Sequence, residues 1–148
     1  MSLYEKVEAD MRAALRARDA LTLSVLRMLL TGIRYMEIEK KVKTLEDPDM
    51  CQVLQRQIKQ HRDSIEQFQK GGRQDLVDKE TKELRILESY LPEQLSEGEL
   101  RAMIAEAMQQ TGAAAKRDAG KVIKAVMEKA RGRAEGKTVN SLVMELLK

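Results

Sequence analysis

Apolar residues recur at intervals of three and four along nearly the whole chain, and this feature restricts the fold to packed helices. Strand vocabulary is scarce. Aromatics make up 3% of the 148 residues and Trp is absent, whereas Leu, Ala, Glu, Lys, Gln, Arg and Met dominate. Those are the residues that lose least on entering a helix. The expected class is therefore all-α, and a chain of this length can build one ordinary domain or two small ones.

Helix signals follow one another with little loop between them. Ser2 and Glu5 form an S-x-x-E capping pattern, and Leu3, Val7, Met11 and Ala14 repeat at helical spacing up to an end near Ala17. Asp19 can cap a second helix whose stripe of Leu26, Leu29, Leu30, Ile33 and Met36 is widened by Leu21, Leu23, Val25 and Met28. Being apolar on more than one side, it reads as the central helix of its group. Lys40, Lys41 and Lys43 close it, where the helix dipole favours cations.

Asp47-Pro48 reads as an N-cap followed by proline at the first helical position. Leu54, Ile58, Ile65 and Phe68 then share a face, Gly71-Gly72 stops the helix, and another runs from about Gln74 to Ser89. Leu91-Pro92 must break it, because proline disfavours helix in the residue before it. Ser96 and Glu99 open the next helix, which Gly112 ends. Two short helices remain, near Arg117 to Ala130 and Lys137 to Leu147, with Gly132 and Gly136 between them.

Charge changes at the same proline. Residues 1 to 89 carry 17 basic and 16 acidic side chains, residues 90 to 111 carry 1 and 4, and residues 112 to 148 carry 9 and 4. The expected organisation is an N-terminal arm of long antiparallel helices, 1–91, followed by a compact three-helix module, 92–148, where the positive field is concentrated.

Cys51 is the only cysteine, which points to a reducing compartment. The longest apolar stretch, Leu21 to Ile33, is too short and too interrupted to span a bilayer. Met1 leads straight into a helix start, without the n- and h-regions of a secretory signal. A cytoplasmic protein is the expectation.

No catalytic centre is expected. Cys51 beside His61 would be a tempting nucleophile and base. On one straight helix, however, ten residues separate them by about 15 Å. His61 falls on the stripe of Leu54, Ile58, Ile65 and Phe68, so an edge-of-core histidine is the simpler reading, and Cys51 reads as a small helix residue. One His and one Cys cannot make a four-ligand zinc site of those residue types, and no metal or other cofactor is expected. Gly132-Arg133-Ala134-Glu135-Gly136-Lys137-Thr138 imitates a phosphate-binding loop but has three residues between its glycines, where the pattern needs four. A helix precedes it, where a buried strand is required. Carboxylates such as Glu80, Glu83, Glu93, Glu97 and Glu99 are ordinary for a helical surface, and no catalysis is assigned to them.

The basic cluster carries more. Arg117, Lys121, Lys124 and Arg131 recur at spacings of four, three and seven, which puts them on one helix face opposite Val122, Ile123, Val126, Met127 and Ala130. Arg133 and Lys137 extend the positive field across the glycine turn, where backbone N–H groups at the next helix start also favour phosphate. Aromatic residues to stack bases are missing there. The chemistry is contact with phosphate backbones, which reads sequence poorly; a merely solvated lysine face is the competing reading.

Several ordered segments resemble the bacterial YqeY family: Arg62-Asp63-Ser64-Ile65-x-x-Phe68, Gly72-Arg73-x-Asp75-Leu76, Leu87-x-x-Tyr90-Leu91-Pro92-x-Gln94-Leu95-Ser96, Gly120-Lys121-Val122-x-x-x-Val126-Met127 and Gly132-Arg133-Ala134-x-Gly136-Lys137-x-Val139-Asn140-x-Leu142. From about Ser96 the chain is also similar to the tail domain of the GatB subunit of glutamyl/aspartyl-tRNA amidotransferase. The resemblance implies a helical arm followed by a helical tail module, and tRNA or its processing machinery as partner. By similarity, Lys121, Arg133 and Lys137 stand at motif positions for tRNA contact. These residues hold neither the cradle domain that activates the substrate carboxylate nor the amidase centre.

The expected function is thus a non-catalytic tRNA-binding or amidotransferase-associated protein. One alternative is a protein-interaction or oligomerisation module built on the wide apolar surface of Leu21 to Met36. Another, implied by the family label alone, is carbon–nitrogen ligase activity with glutamine as amido donor.

Overall fold

The computed structural model describes residues 1–147, whose regular elements are all helices, with no strand among them. The helices are α1 (Leu3–Ala17), α2 (Ala20–Lys40), α3 (Asp47–Lys70), α4 (Gln74–Glu88), α5 (Glu97–Thr111), α6 (Ala119–Ala130) and α7 (Gly136–Leu146), with a 3-10 turn over Lys116–Asp118. No helix among the described residues is long and apolar enough to cross a membrane. Backbone contacts divide the chain into two compact units, Met1–Leu91 and the part from Pro92 onward.

In the first unit, local chemistry sets the helix ends. Ser2 and Glu5 make the reciprocal capping box, and Arg18 closes α1 in the left-handed conformation at φ 57°. Asp19 then caps α2, accepting from the Thr22 N–H at 3.2 Å and the Thr22 hydroxyl at 2.7 Å. These bonds hold its carboxyl below the usual carboxylate range.

The helix expected to begin with Asp47 as its cap starts one residue earlier. Glu46 occupies the cap, Asp47 is already helical, and Pro48 is the second helical residue. Asp47 instead accepts the Leu3 N–H at 3.0 Å, so it satisfies a free donor of α1.

Leu26, Leu29 and Ile33 of α2 and Met50 and Leu54 of α3 are fully buried with Leu87 of α4, and Val7 and Tyr90 close the cluster. Gly32 lets α2 and α3 approach closely: a Cβ there would stand 2.7 Å from Gln57 Nε2 and 3.0 Å from Val53 Cγ1. The α3 stripe weakens toward its end, where Ile65 and Phe68 are only half-buried. Gly72, at φ 69°, makes the reversal that folds α4 back along α3.

The second unit has its own core. Leu100 and Ile104 of α5, Val122 and Val126 of α6, and Val139 and Val143 of α7 pack together. Ser96 accepts the Glu99 N–H at 3.1 Å, one half of the expected capping box. The helix expected from Arg117 is a 3-10 turn followed by α6 from Ala119. Non-helical residues close the unit: the Leu95 N–H donates to the Arg133 carbonyl at 2.8 Å, the Arg133 Nε to the Glu93 carbonyl at 3.0 Å, and the Gln94 amide to the Gly132 carbonyl at 3.0 Å. The segment after Pro92 is thereby stitched to the turn between α6 and α7.

Candidate phosphate-binding surface

α6 buries Ala119, Val122, Val126 and Ala130. With about 100° between successive residues, Lys121 and Lys124 project from its opposite side, and both are exposed. Arg117 is exposed in the preceding 3-10 turn rather than on α6 itself. Arg131 caps α6 in the left-handed conformation at φ 47°, so its side chain leaves the helical register. Lys137 is the second residue of α7 and is exposed there.

Arg133 is also exposed, but its Nε is engaged with the Glu93 carbonyl. It has a structural task in the stitched turn that spacing could not reveal. The structure therefore places Lys121 and Lys124 together on one helix face, with Arg117, Arg131, Arg133 and Lys137 on the adjoining turns.

Two features went unread in the sequence. Glu128, four residues after Lys124, is exposed on the same outer face and interrupts the stripe before Arg131. Lys129, by contrast, is spent on Glu106 of α5 at 3.1 Å. Among the described residues, no ion pair engages Arg117, Lys121, Lys124, Arg131 or Lys137.

Backbone donors lie close to these cations. The N-terminus of α7 has no side-chain cap: Glu135, its cap residue, makes none, and the first intrahelical bond is Val139 N–H to the Glu135 carbonyl. The amides of Gly136, Lys137 and Thr138 are thus left to the partial positive charge of the helix start. The glycine turn that imitates a phosphate-binding loop is preceded by α6, a helix and not the strand such a loop needs.

Elsewhere, Cys51 is buried on α3. Burial, and then the Asp47 charge, push its thiol above its ordinary value, the opposite of an activated nucleophile. His61 lies on the same helix, half-buried, with Nδ1 2.5 Å from Glu80 Oε2.

The described residues thus form an all-helical fold with an exposed basic helix face beside a helix start that has no side-chain cap. Its family is also defined: the Yqey-like protein family matches residues 4–147, and the chain belongs to it.

Among its relatives is "Altered inheritance of mitochondria protein 41, mitochondrial" of Kluyveromyces lactis, 38% identical over 84 residues, which are 57% of this chain and 45% of that protein. The protein of the same name from Pyrenophora tritici-repentis is 30% identical over 146 residues, 96% of this chain and 79% of the relative. An uncharacterized Schizosaccharomyces pombe protein is 35% identical over 95 residues, 64% of this chain and 76% of its own length. The matches to the first three curated relatives span about half the length of those proteins.

These relatives correct two expectations. The cytoplasmic assignment is overturned by relatives whose names place them in mitochondria. It rested on a single cysteine, an apolar stretch too short to span a bilayer and a helix start without a secretory signal, and none of these specifies a compartment. The family is also not confined to bacteria, since these relatives are fungal.

Proposed function

We propose that this protein is a non-catalytic RNA-backbone binder working with tRNA or the tRNA-amidotransferase machinery, and that its α5–α7 helices act as a three-helix binding module. The observation that carries the reading is the set of exposed cations that make no ion pair among the described residues, Lys121, Lys124 and Lys137 with Arg117 and Arg131, beside the α7 start, which has no side-chain cap. Phosphate is the ligand such a surface favours, since cations and helix-start N–H groups act together on one anion. Similarity to the GatB tail supplies tRNA as the RNA. Without aromatic stacking residues, the surface holds backbone and shape rather than base sequence.

Titration of tRNA against the full chain at several salt concentrations tests this. Affinity should fall steeply with salt, and Lys121→Ala combined with Lys137→Ala should weaken binding and lower the slope by about one per phosphate contact removed. Binding indifferent to those substitutions would remove the site.

A second reading, docking of a protein partner or a second copy, is favoured by α2. Met28, Tyr35 and Ile38 of this helix are 63%, 72% and 75% exposed, and their spacings of seven and three make one stripe. Light scattering tests it. A larger species that dissociates in Tyr35→Lys with Ile38→Lys would support self-association, and a concentration-independent monomer would count against it.

A further inference from the structure

Glu80 and Glu83 stand three residues apart on α4, so both carboxylates leave the helix on one side. That side meets α3, not open water: the two side chains are 20% and 13% exposed. Opposite them, His61 places Nδ1 2.5 Å from Glu80 Oε2 and 3.7 Å from Glu83 Oε2. One donor atom from each of the three residues can be chosen so that all lie within 4.8 Å of one another.

The electrostatics of this cluster are incomplete. Two carboxylates turned into a helix interface face one imidazole, which can offset one negative charge at most. The cationic residues of the same helix, Lys79, Lys82 and Arg85, are all exposed. A divalent ion balances both carboxylates at once, and one imidazole nitrogen with two carboxylate oxygens is a donor set suited to first-row divalent metals.

The geometry allows entry. Around Zn2+, donors at bond lengths near 2.1 Å stand about 3.4 Å apart. The Glu83 distance already fits, and the His61–Glu80 hydrogen bond need open by less than about 1 Å. A cavity of about 290 Å³ adjoins the three residues, lined by Ser24, Gln57, Gln60 and Ser64. Val25 and Met28 also line it, and its serine and glutamine side chains leave polar partners and room for the waters that would complete the coordination sphere. Gln57 is fixed there by its amide, which donates to the Met28 carbonyl at 3.0 Å.

The geometry points to a divalent transition-metal site formed by His61 Nδ1 and the carboxylates of Glu80 and Glu83, with water in the remaining positions. The ion clamps α3 to α4, and the site binds Zn2+ more tightly than Mn2+, as the order of divalent affinities for such donors requires. It is independent of the cationic surface on α6 and α7.

Calorimetric titration and equilibrium dialysis of the full chain with Zn2+, Mn2+ and Co2+ test the site. One ion per chain should bind, the thermal midpoint should rise with Zn2+, and Glu80→Gln, Glu83→Gln and His61→Gln should each weaken binding by at least about tenfold. Glu88→Gln, which alters a surface pair with Arg62, should leave the affinity unchanged. Circular dichroism verifies that each variant folds, and the nearly isosteric Glu83→Gln carries the test if His61→Gln unfolds. The Co2+ spectrum should lack a thiolate charge-transfer band. Absence of stoichiometric binding, Zn2+ binding that survives Glu80→Gln with Glu83→Gln, or a thiolate band from Cys51 would overturn the proposal.

Discussion

The Tyr90 hydroxyl donates a 2.6 Å hydrogen bond to Asp10 Oδ2, tying the end of the first unit to α1 across 80 residues of sequence. The Tyr90 ring is buried, and Lys6 Nζ stands 5.2 Å from its centre. Burial first, and then the bond to the Asp10 carboxylate, raise the phenol well above its ordinary value. The folded state thus holds the Tyr90 proton more tightly than the unfolded chain does. The stabilisation is complete below the unfolded phenol value of about 10 and is lost as pH rises beyond it. Tyr90→Phe should cost about 1–2 kcal/mol at neutral pH. Urea denaturation at pH 7 and pH 10.5 should show the difference between wild type and variant shrinking at the higher pH.

Asp47 should matter to α1 more than to the helix that contains it. Its carboxylate accepts the Leu3 N–H, so Asp47→Ala removes an N-terminal partner of α1 and should cost about 1 kcal/mol. Amide exchange should accelerate in the first turn of α1. Faster exchange confined to α3 would contradict this assignment.

The contrast between these two residues shows which information lies in local sequence. Ser2 and Asp19 were legible as caps because cap and helix are neighbours in the chain, and Pro92 announced a break by removing a donor from the backbone. Asp47, Glu80 and Glu83 were misread or passed over because their partners are distant: Leu3 lies 44 residues away and His61 19 residues from Glu80. Carboxylates are too common on helices for Glu80 and Glu83 to stand out until packing turns them toward His61. The basic residues on α6 were readable from spacing, but the stitch joining Arg133 to Glu93 was not, since non-helical segments carry no periodicity.

Gly32 is a second case in which local preference and packing oppose each other. Alanine in a helix interior ordinarily gains about 1 kcal/mol over glycine. At Gly32 the added methyl displaces Gln57 from the Met28 carbonyl and crowds Val53, removing about as much. Gly32→Ala should therefore fail to stabilise the protein. Gly98, in α5, has no atom within 4 Å of an added Cβ, and Gly98→Ala should gain up to about 1 kcal/mol. Chemical denaturation of both variants checks the pair.

Glu37 is buried on α2, and its Oε2 has no hydrogen-bond partner among the described residues. Its charge helps to raise the Tyr4 phenol, after burial of that ring. A buried carboxylate oxygen left without a donor opposes folding. Glu37→Met keeps the side-chain length without the charge and should stabilise the first unit by about 1 kcal/mol, read as a higher urea midpoint with unchanged slope.

Variants of Arg133 and Lys137 should separate structural from binding contributions on the proposed phosphate surface. Both are exposed cations near the α6–α7 turn, and electrostatics alone would make them equivalent. Arg133 also donates to the Glu93 carbonyl, beside the Leu95 bond to its own carbonyl, so it helps to hold the segment after Pro92 in place. Arg133→Ala should lower the stability of the second unit by about 1 kcal/mol and weaken phosphate binding as well. Lys137→Ala should leave stability within about 0.5 kcal/mol while weakening binding. Arg133→Lys retains the charge but loses the planar guanidinium that reaches this carbonyl. It should therefore recover RNA affinity more fully than stability. Recovery of both in equal measure would mean that the carbonyl contact contributes little, and that Arg133 acts through its charge.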